Sequence, residues 1–122
     1  MAKIGGNITG IIQTKTTQKD EAGNIVKNEL GEAVQKWVEA FSHIGWLDLQ
    51  SGDSKYTNFK AKIEESTHVF LCDYHSGIYA LADKNTRMII KGNVYDVLLI
   101  DNPMEMNEQL EIYLRKVGAW HG

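Results

Sequence analysis

One cysteine and one proline are all that the 122 residues contain. A lone cysteine excludes an internal disulfide and fits a reducing compartment. No apolar run approaches the ~20 residues that cross a bilayer, so no membrane association is expected. The opening stretch, "MAKIGGNITGIIQ", has one lysine but no apolar core of the length a secretion signal needs. Without such a signal, Asn7-Ile8-Thr9 has no meaning as a glycosylation acceptor. A basic excess is missing too: the net charge is −3, which argues against a general nucleic-acid-binding domain. Neither "GNITG" nor "IKGN" is followed by the Gly-Lys-Ser/Thr of a phosphate loop. No low-complexity segment and no internal repeat stands out. Apolar residues at 43% and charged residues at 24% make an ordinary globular composition. A chain of this length buries roughly two-thirds of its unfolded surface, enough for one core without metal or disulfide. The expectation is a soluble, intracellular protein with a single domain over residues 1–122.

The pattern along the chain is that of strands. "ITGIIQTKTT" (8–17) is rich in branched residues that favour a pleated backbone. Asp20, Gly23 and Asn24 then supply turn chemistry, and "IVKNEL" reads as a weaker returning strand. "QKWVEAFSHIGWLDLQSG" (35–52) fits a helical stripe in its first half. With period two it places Val38, Ala40, Ser42, Ile44 and Trp46 on one face and Trp37, Phe41, Leu47 and Leu49 on the other. Gly45 and the aromatics favour a long strand, bent near Gly45. "SKYTNFKAKIEES" (54–66) is the stretch with polar, helix-compatible character, either a short helix or a mobile loop. Strands are expected at 67–74, 86–92, 93–102 and 108–117, with a two-residue hairpin signal at Gly92-Asn93. In the last of these Leu110, Ile112 and Leu114 alternate with Glu111, Tyr113 and Arg115. Four or five short strands with little helix predict a mainly β fold, a small antiparallel barrel with a long loop or short helix between strands.

"STHVFLCDYHSG" (66–77) gathers the residue types of zinc sites and cysteine nucleophiles. On a strand, His68 and Cys72 share a face but lie about 13 Å apart, too far for one zinc with bonds of ~2.0–2.3 Å. Asp73 and His75 share the other face and supply at best two ligands; nothing in the sequence brings His43 or His121 to them. Cys72 has no base within reach on its own strand. The reading is a buried structural cysteine. The carboxylates Glu64, Glu65, Asp101 and Glu105 read as solvated charges, and Trp37, Trp46 and Trp120 as core or interface anchors. No catalytic residue, cofactor or metal site is expected.

In order and spacing the segments resemble the head–tail connector proteins of long-tailed phages and prophages, the head-closure (stopper) or head–tail adaptor family. The likeness runs from about Gly10 to Val117. "IIQTKTTQKDEAGNIV" resembles that family's first hairpin, and "KWVEAFSHIGWLDLQSG" its tryptophan-bearing strand. "STHVFLCDY" resembles its Thr-His-hydrophobic strand, "TRMIIKGNVYDVLLIDNP" its Gly, Tyr-Asp hairpin, and "QLEIYLRKV" its closing strand. Two departures stand out: Asp73 replaces the usual arginine before Tyr74, and "HSGIYALADKN" reads differently from the common form. Asp73 is therefore expected to change the charge of the surface that this strand end meets.

The resemblance implies a non-enzymatic virion assembly protein, a subunit of a ring below the portal that keeps packaged DNA in the head and joins head to tail. Implied partners are further copies of the chain in the ring, the portal or an adaptor, and a tail-completion or tail-terminator protein. DNA would pass through without sequence-specific binding, and the implied place is the virion neck after assembly in the bacterial cytoplasm. Lys55, Tyr56, Phe59, Lys60 and Lys62 in the long loop, with Trp120 in the tail "GAWHG", are the expected ring or channel contacts. The alternative for the loop is that Tyr56, Phe59 and Ile63 pin an amphipathic helix to the barrel. The alternative function is a small barrel that binds single-stranded nucleic acid or a ligand through its aromatics. Retention on single-stranded DNA that weakens steeply with salt would mark it.

Overall fold

The computed structural model describes residues 3–49, 66–82 and 84–121. Six strands alternate in direction: β1 (Ile8–Thr17), β2 (Gln35–Leu49), β3 (His68–Asp73), β4 (Thr86–Ile90), β5 (Asn93–Asp101) and β6 (Gln109–Ala119). They close into an antiparallel barrel in the order β1-β2-β3-β6-β5-β4. Closure removes the free sheet edges at which strands of other chains would add. The mainly β reading holds, with six strands in place of four or five. A short helix, α1 (Ser76–Tyr79), lies in "HSGIYALADKN". His75 caps it by accepting from the Ile78 N–H at 3.2 Å. The stretch 54–65, expected as helix or loop, lies outside the described residues.

The barrel is solid. Ile12, Phe70, Cys72, Ile78, Met88, Ile90, Tyr95, Ile100, Leu110, Ile112 and Leu114 fill it, as six strands enclose room for side chains and no more. The alternation read in β6 holds: Leu110, Ile112 and Leu114 point inward, each fully buried. Each such side chain contributes about 1.5–3 kcal/mol of burial.

β2 is one long strand that changes neighbour. It pairs with β1 as far as Gly45 and with β3 from Trp46 onward. Its register with β1 shifts between Ile12 and Gln13, where Ala40 is an extra residue. Gly45 serves close approach: a Cβ there would stand 2.4 Å from the Leu71 carbonyl oxygen. The β4–β5 hairpin turns on Lys91-Gly92, both at positive φ (49° and 75°), not on Gly92-Asn93.

"IVKNEL" forms no strand. Residues 18–34 build an exposed tip on the β1–β2 hairpin with isolated bridges Lys19–Ile25 and Lys27–Ala33. The tip is a tandem repeat missed on reading the sequence: "KDEAGNIV" (19–26) and "KNELGEAV" (27–34) match at Lys, Glu, Gly and Val. The two octads fold alike. Asp20 Oδ1 accepts from the N–H groups of Ala22 and Asn24 at 3.0 and 2.9 Å, and Asn28 Oδ1 accepts from those of Leu30 and Glu32 at 2.9 and 3.0 Å. The glycines that follow, Gly23 and Gly31, sit at φ +84° and +82°, a conformation that costs a glycine nothing. Three backbone bonds join the lobes in a cycle: Gln18 N–H to Val34, Val34 N–H to Val26, and Val26 N–H to Gln18, at 2.8, 2.9 and 3.0 Å.

Candidate functional site

The cluster at 66–77 runs from the start of β3 to the cap of α1, and its members take packing and hydrogen-bonding places there. Cys72 is fully buried, and burial followed by the charge of Asp73 pushes its thiol up to about 12. A thiol reagent should therefore modify Cys72 only as fast as the protein unfolds; stoichiometric labelling of the folded protein within minutes would contradict that placement. At the start of β3, His68 Nδ1 lies 2.8 Å from the Thr67 hydroxyl, which also accepts from the Lys116 N–H at 2.8 Å. The His68 ring packs edge-on to Tyr95 with centroids 5.1 Å apart. Burial, then the charge of Lys116, lowers the pKa of His68 and so favours its neutral form. This pair fastens β3 to β6.

His43, which the sequence gave no reason to place here, does approach His75, with ring centroids 5.8 Å apart. Its Nε2 is taken by the Asp73 carbonyl at 3.1 Å, and His75 Nδ1 by the cap of α1. Among the described residues no three His, Cys, Asp or Glu side chains form a group that could hold a metal ion.

Asp73, expected to alter an outer surface, is engaged within the chain. Its carboxylate accepts from the Ile4 N–H at 2.8 Å and the Gly5 N–H at 3.0 Å. Trp46 Nε1 donates to the Ile4 carbonyl at 2.8 Å, and the Asn7 N–H to the Gly45 carbonyl at 3.0 Å. The amino-terminal segment is thereby strapped across the β2–β3 seam. Asp73→Ala should cost about 1–2 kcal/mol and speed amide exchange at residues 4–7, with the β6 amides unchanged. Unaltered exchange at residues 4–7 would show that the strap is held by other contacts.

Among the described residues, three features face outward with the means to meet another molecule. The tip 18–34 exposes Leu30 at 84% among two lysines and four carboxylates. The β5–β6 connection exposes Met104 at 88%. Met104, Glu105 and Asn107 stand at positive φ there, and buried Asn102 clamps the loop through Asn107 at 2.8 and 3.1 Å. The third feature is a pair of opposed walls. On one, Arg87 lies 4.4 Å and Lys15 Nζ 5.7 Å from the centre of the Trp37 ring, and Arg87 Nε donates to Gln13 at 2.7 Å. On the other, Asp101 and Glu111 are directly opposed on β5 and β6, and the Tyr113 hydroxyl donates to Glu111 at 2.8 Å.

That second wall corrects the reading of Asp101 as a solvated charge. Burial, then the facing Glu111, raises its pKa, against a backbone hydrogen bond at Asn102 that lowers it. A raised folded-state value means protonation stabilises the fold: the gain is complete below the unfolded value near 3.9 and lost as pH rises through the folded one. Asp101→Asn should accordingly raise stability at pH 7 by roughly 0.2–1 kcal/mol and leave it unchanged at pH 3. Equal melting of variant and wild type at both values would contradict this placement.

The tryptophans, read as core or interface anchors, divide between part-buried and exposed positions. Trp37 is half-buried beneath two cations, while Trp46 and Trp120 are 42% and 40% exposed. The Trp120 N–H extends β6 by donating to the Gly92 carbonyl at 2.8 Å. Lys55, Tyr56, Phe59, Lys60 and Lys62 lie outside the described residues.

A family model described as phage head completion protein matches residues 10–117, from the third residue of β1 to two residues before the end of β6. The chain belongs to the phage head completion protein family. Membership makes it a structural component of the phage head and of the virion, in keeping with the connector resemblance. A search of curated proteins finds no match. For a phage head completion protein the expected working parts are surfaces and loops, and those are what the barrel leaves exposed. Two of them, the repeated tip and the methionine loop, escaped the sequence reading; the Lys-x-Glu-x-Gly-x-x-Val spacing was the signal available for the tip.

Proposed function

We propose that this head completion protein forms a ring under the portal, closes the DNA-filled head and joins it to the tail, within the virion neck. The observation that carries the reading is the family match across nearly the whole barrel, residues 10–117. The filled interior supports it: DNA has no path through one copy, so a channel takes several copies arranged around an axis. Head-to-tail contacts between identical subunits generate such rings. A chain with net charge −3 also suits a conduit to which DNA does not adhere, provided the lumen shares that sign. The partners on this reading are the portal or an adaptor above and a tail-completion or terminator protein below, with assembly in the host cytoplasm. Exposed Trp120 is available to a neighbouring subunit.

Electron microscopy of a lysate in which the gene is disrupted tests this. Free tails beside emptied or leaking heads are expected. Normal, infectious, tailed particles would end the proposal.

A further inference from the structure

We propose that successive copies in the ring meet through opposite walls of the barrel. The cationic wall of one copy, Lys15 and Arg87 about Trp37, packs on the acidic wall of the next, Asp101 and Glu111 beside Tyr113. The inference rests on the ring reading above and names the contact that reading needs.

Topology supplies the first argument. In the order β1-β2-β3-β6-β5-β4, β1 and β6 are three strands apart in either direction and so face away from each other. Lys15 lies on β1, Trp37 beside it on β2 and Arg87 on β4; Glu111 and Tyr113 lie on β6 and Asp101 on β5. A head-to-tail contact needs two different, complementary patches, and this placement provides them: Lys15 and Glu111 lie on opposite strands, while Arg87 on β4 marks the border with β5, where it faces Asp96.

Charge and chemistry supply the second. Asp101 and Glu111 oppose each other directly, an arrangement that costs stability in an isolated chain. Half-buried Val69, Leu71 and Leu99 occupy the neighbouring positions of the same ladders. Carboxylates set in an apolar surround attract a cation more strongly than carboxylates in open water. Across the barrel, the cations are held over an indole that keeps them near the surface. Stacking the walls brings opposite charges together and covers Trp37 and Tyr113, the residue types enriched at protein contacts.

Charge reversal tests the pairing. A phage lacking the gene is supplied with wild-type chain, Lys15→Glu, Glu111→Lys, or both changes together, and tailed infectious particles are counted. Circular dichroism melting establishes that each variant folds. Either single change sets like charges between positions 15 and 111 at every subunit contact and should lower the titre at least tenfold. The double change restores opposite charges and should recover most of it. Glu111→Gln, which keeps an acceptor for the Tyr113 hydroxyl, should fall between wild type and Glu111→Lys. Folded single variants at wild-type titre, or a double variant no better than the worse single, would overturn the wall-to-wall contact and leave the neck reading standing. If wild-type chain itself restores no tails, the neck reading fails and this inference falls with it.

Discussion

Replacing Gly45 by alanine is expected to remove about 3 kcal/mol of stability. The added methyl carbon would stand 2.4 Å from the Leu71 carbonyl oxygen and 2.6 Å from the Phe70 ring. The nearest obstacle is backbone of the neighbouring strand, which has no rotamer to adopt, so the cost lies at the upper end of overpacking penalties. Nor can β2 retreat. A Cβ on Gly6 would lie 2.3 Å from the Gly45 nitrogen, so the strap presses on the outer side of the same residue. At this point β2 leaves β1 and joins β3, and displacement there loosens two seams of the barrel at once. Urea unfolding measures the effect as a lower midpoint with an unchanged slope. A variant within 0.5 kcal/mol of wild type, on the order of a neutral surface change, would show that the corner has room this account denies it.

Phe70→Ala should cost about 3–5 kcal/mol, a large share of the roughly 5–15 kcal/mol that holds an ordinary domain. Phe70 is fully buried on β3. Its ring reaches the positions where side chains on Gly10 and Gly45 would begin, at 3.3 and 2.6 Å. The two glycines make the space that the ring fills, and alanine would leave a cavity bounded by rigid strands. Phe70→Leu should cost less, roughly 1–2 kcal/mol, because more of the volume is kept. Thermal melting of the pair separates cavity from chemistry. Equal destabilisation by both would point to a specific ring contact in place of a packing defect.

Legibility in the sequence followed burial. β6 was readable because one face is fully buried and the other is not, so Leu110, Ile112 and Leu114 alternate with polar partners. β1 and β3 were readable from branched and aromatic residues. The tip 18–34 was misread because its order comes from side chain–backbone bonds at Asp20 and Asn28, which leave no hydrophobic period; the octad repeat was the signal to look for. α1 escaped because one turn, capped by a histidine, is too short to show a period of 3.6. The opposed walls were out of reach for another reason. Lys15, Arg87, Asp101 and Glu111 are ordinary charged residues, and only the closing order of strands, with β6 inserted between β3 and β5, sets Lys15 and Glu111 on opposite sides.

Asp73 shows how a departure from the resembling pattern can be absorbed. A carboxylate where an arginine was expected binds two backbone N–H groups of its own chain and so holds the amino-terminal strap.

The most direct test of the account is cryo-electron microscopy of the neck in intact particles. The prediction is a ring of six-stranded barrels between portal and tail, each fitting the fold described and none carrying DNA through its own interior. Purified, tailed particles whose neck density is filled entirely by other proteins, with this chain absent, would contradict it.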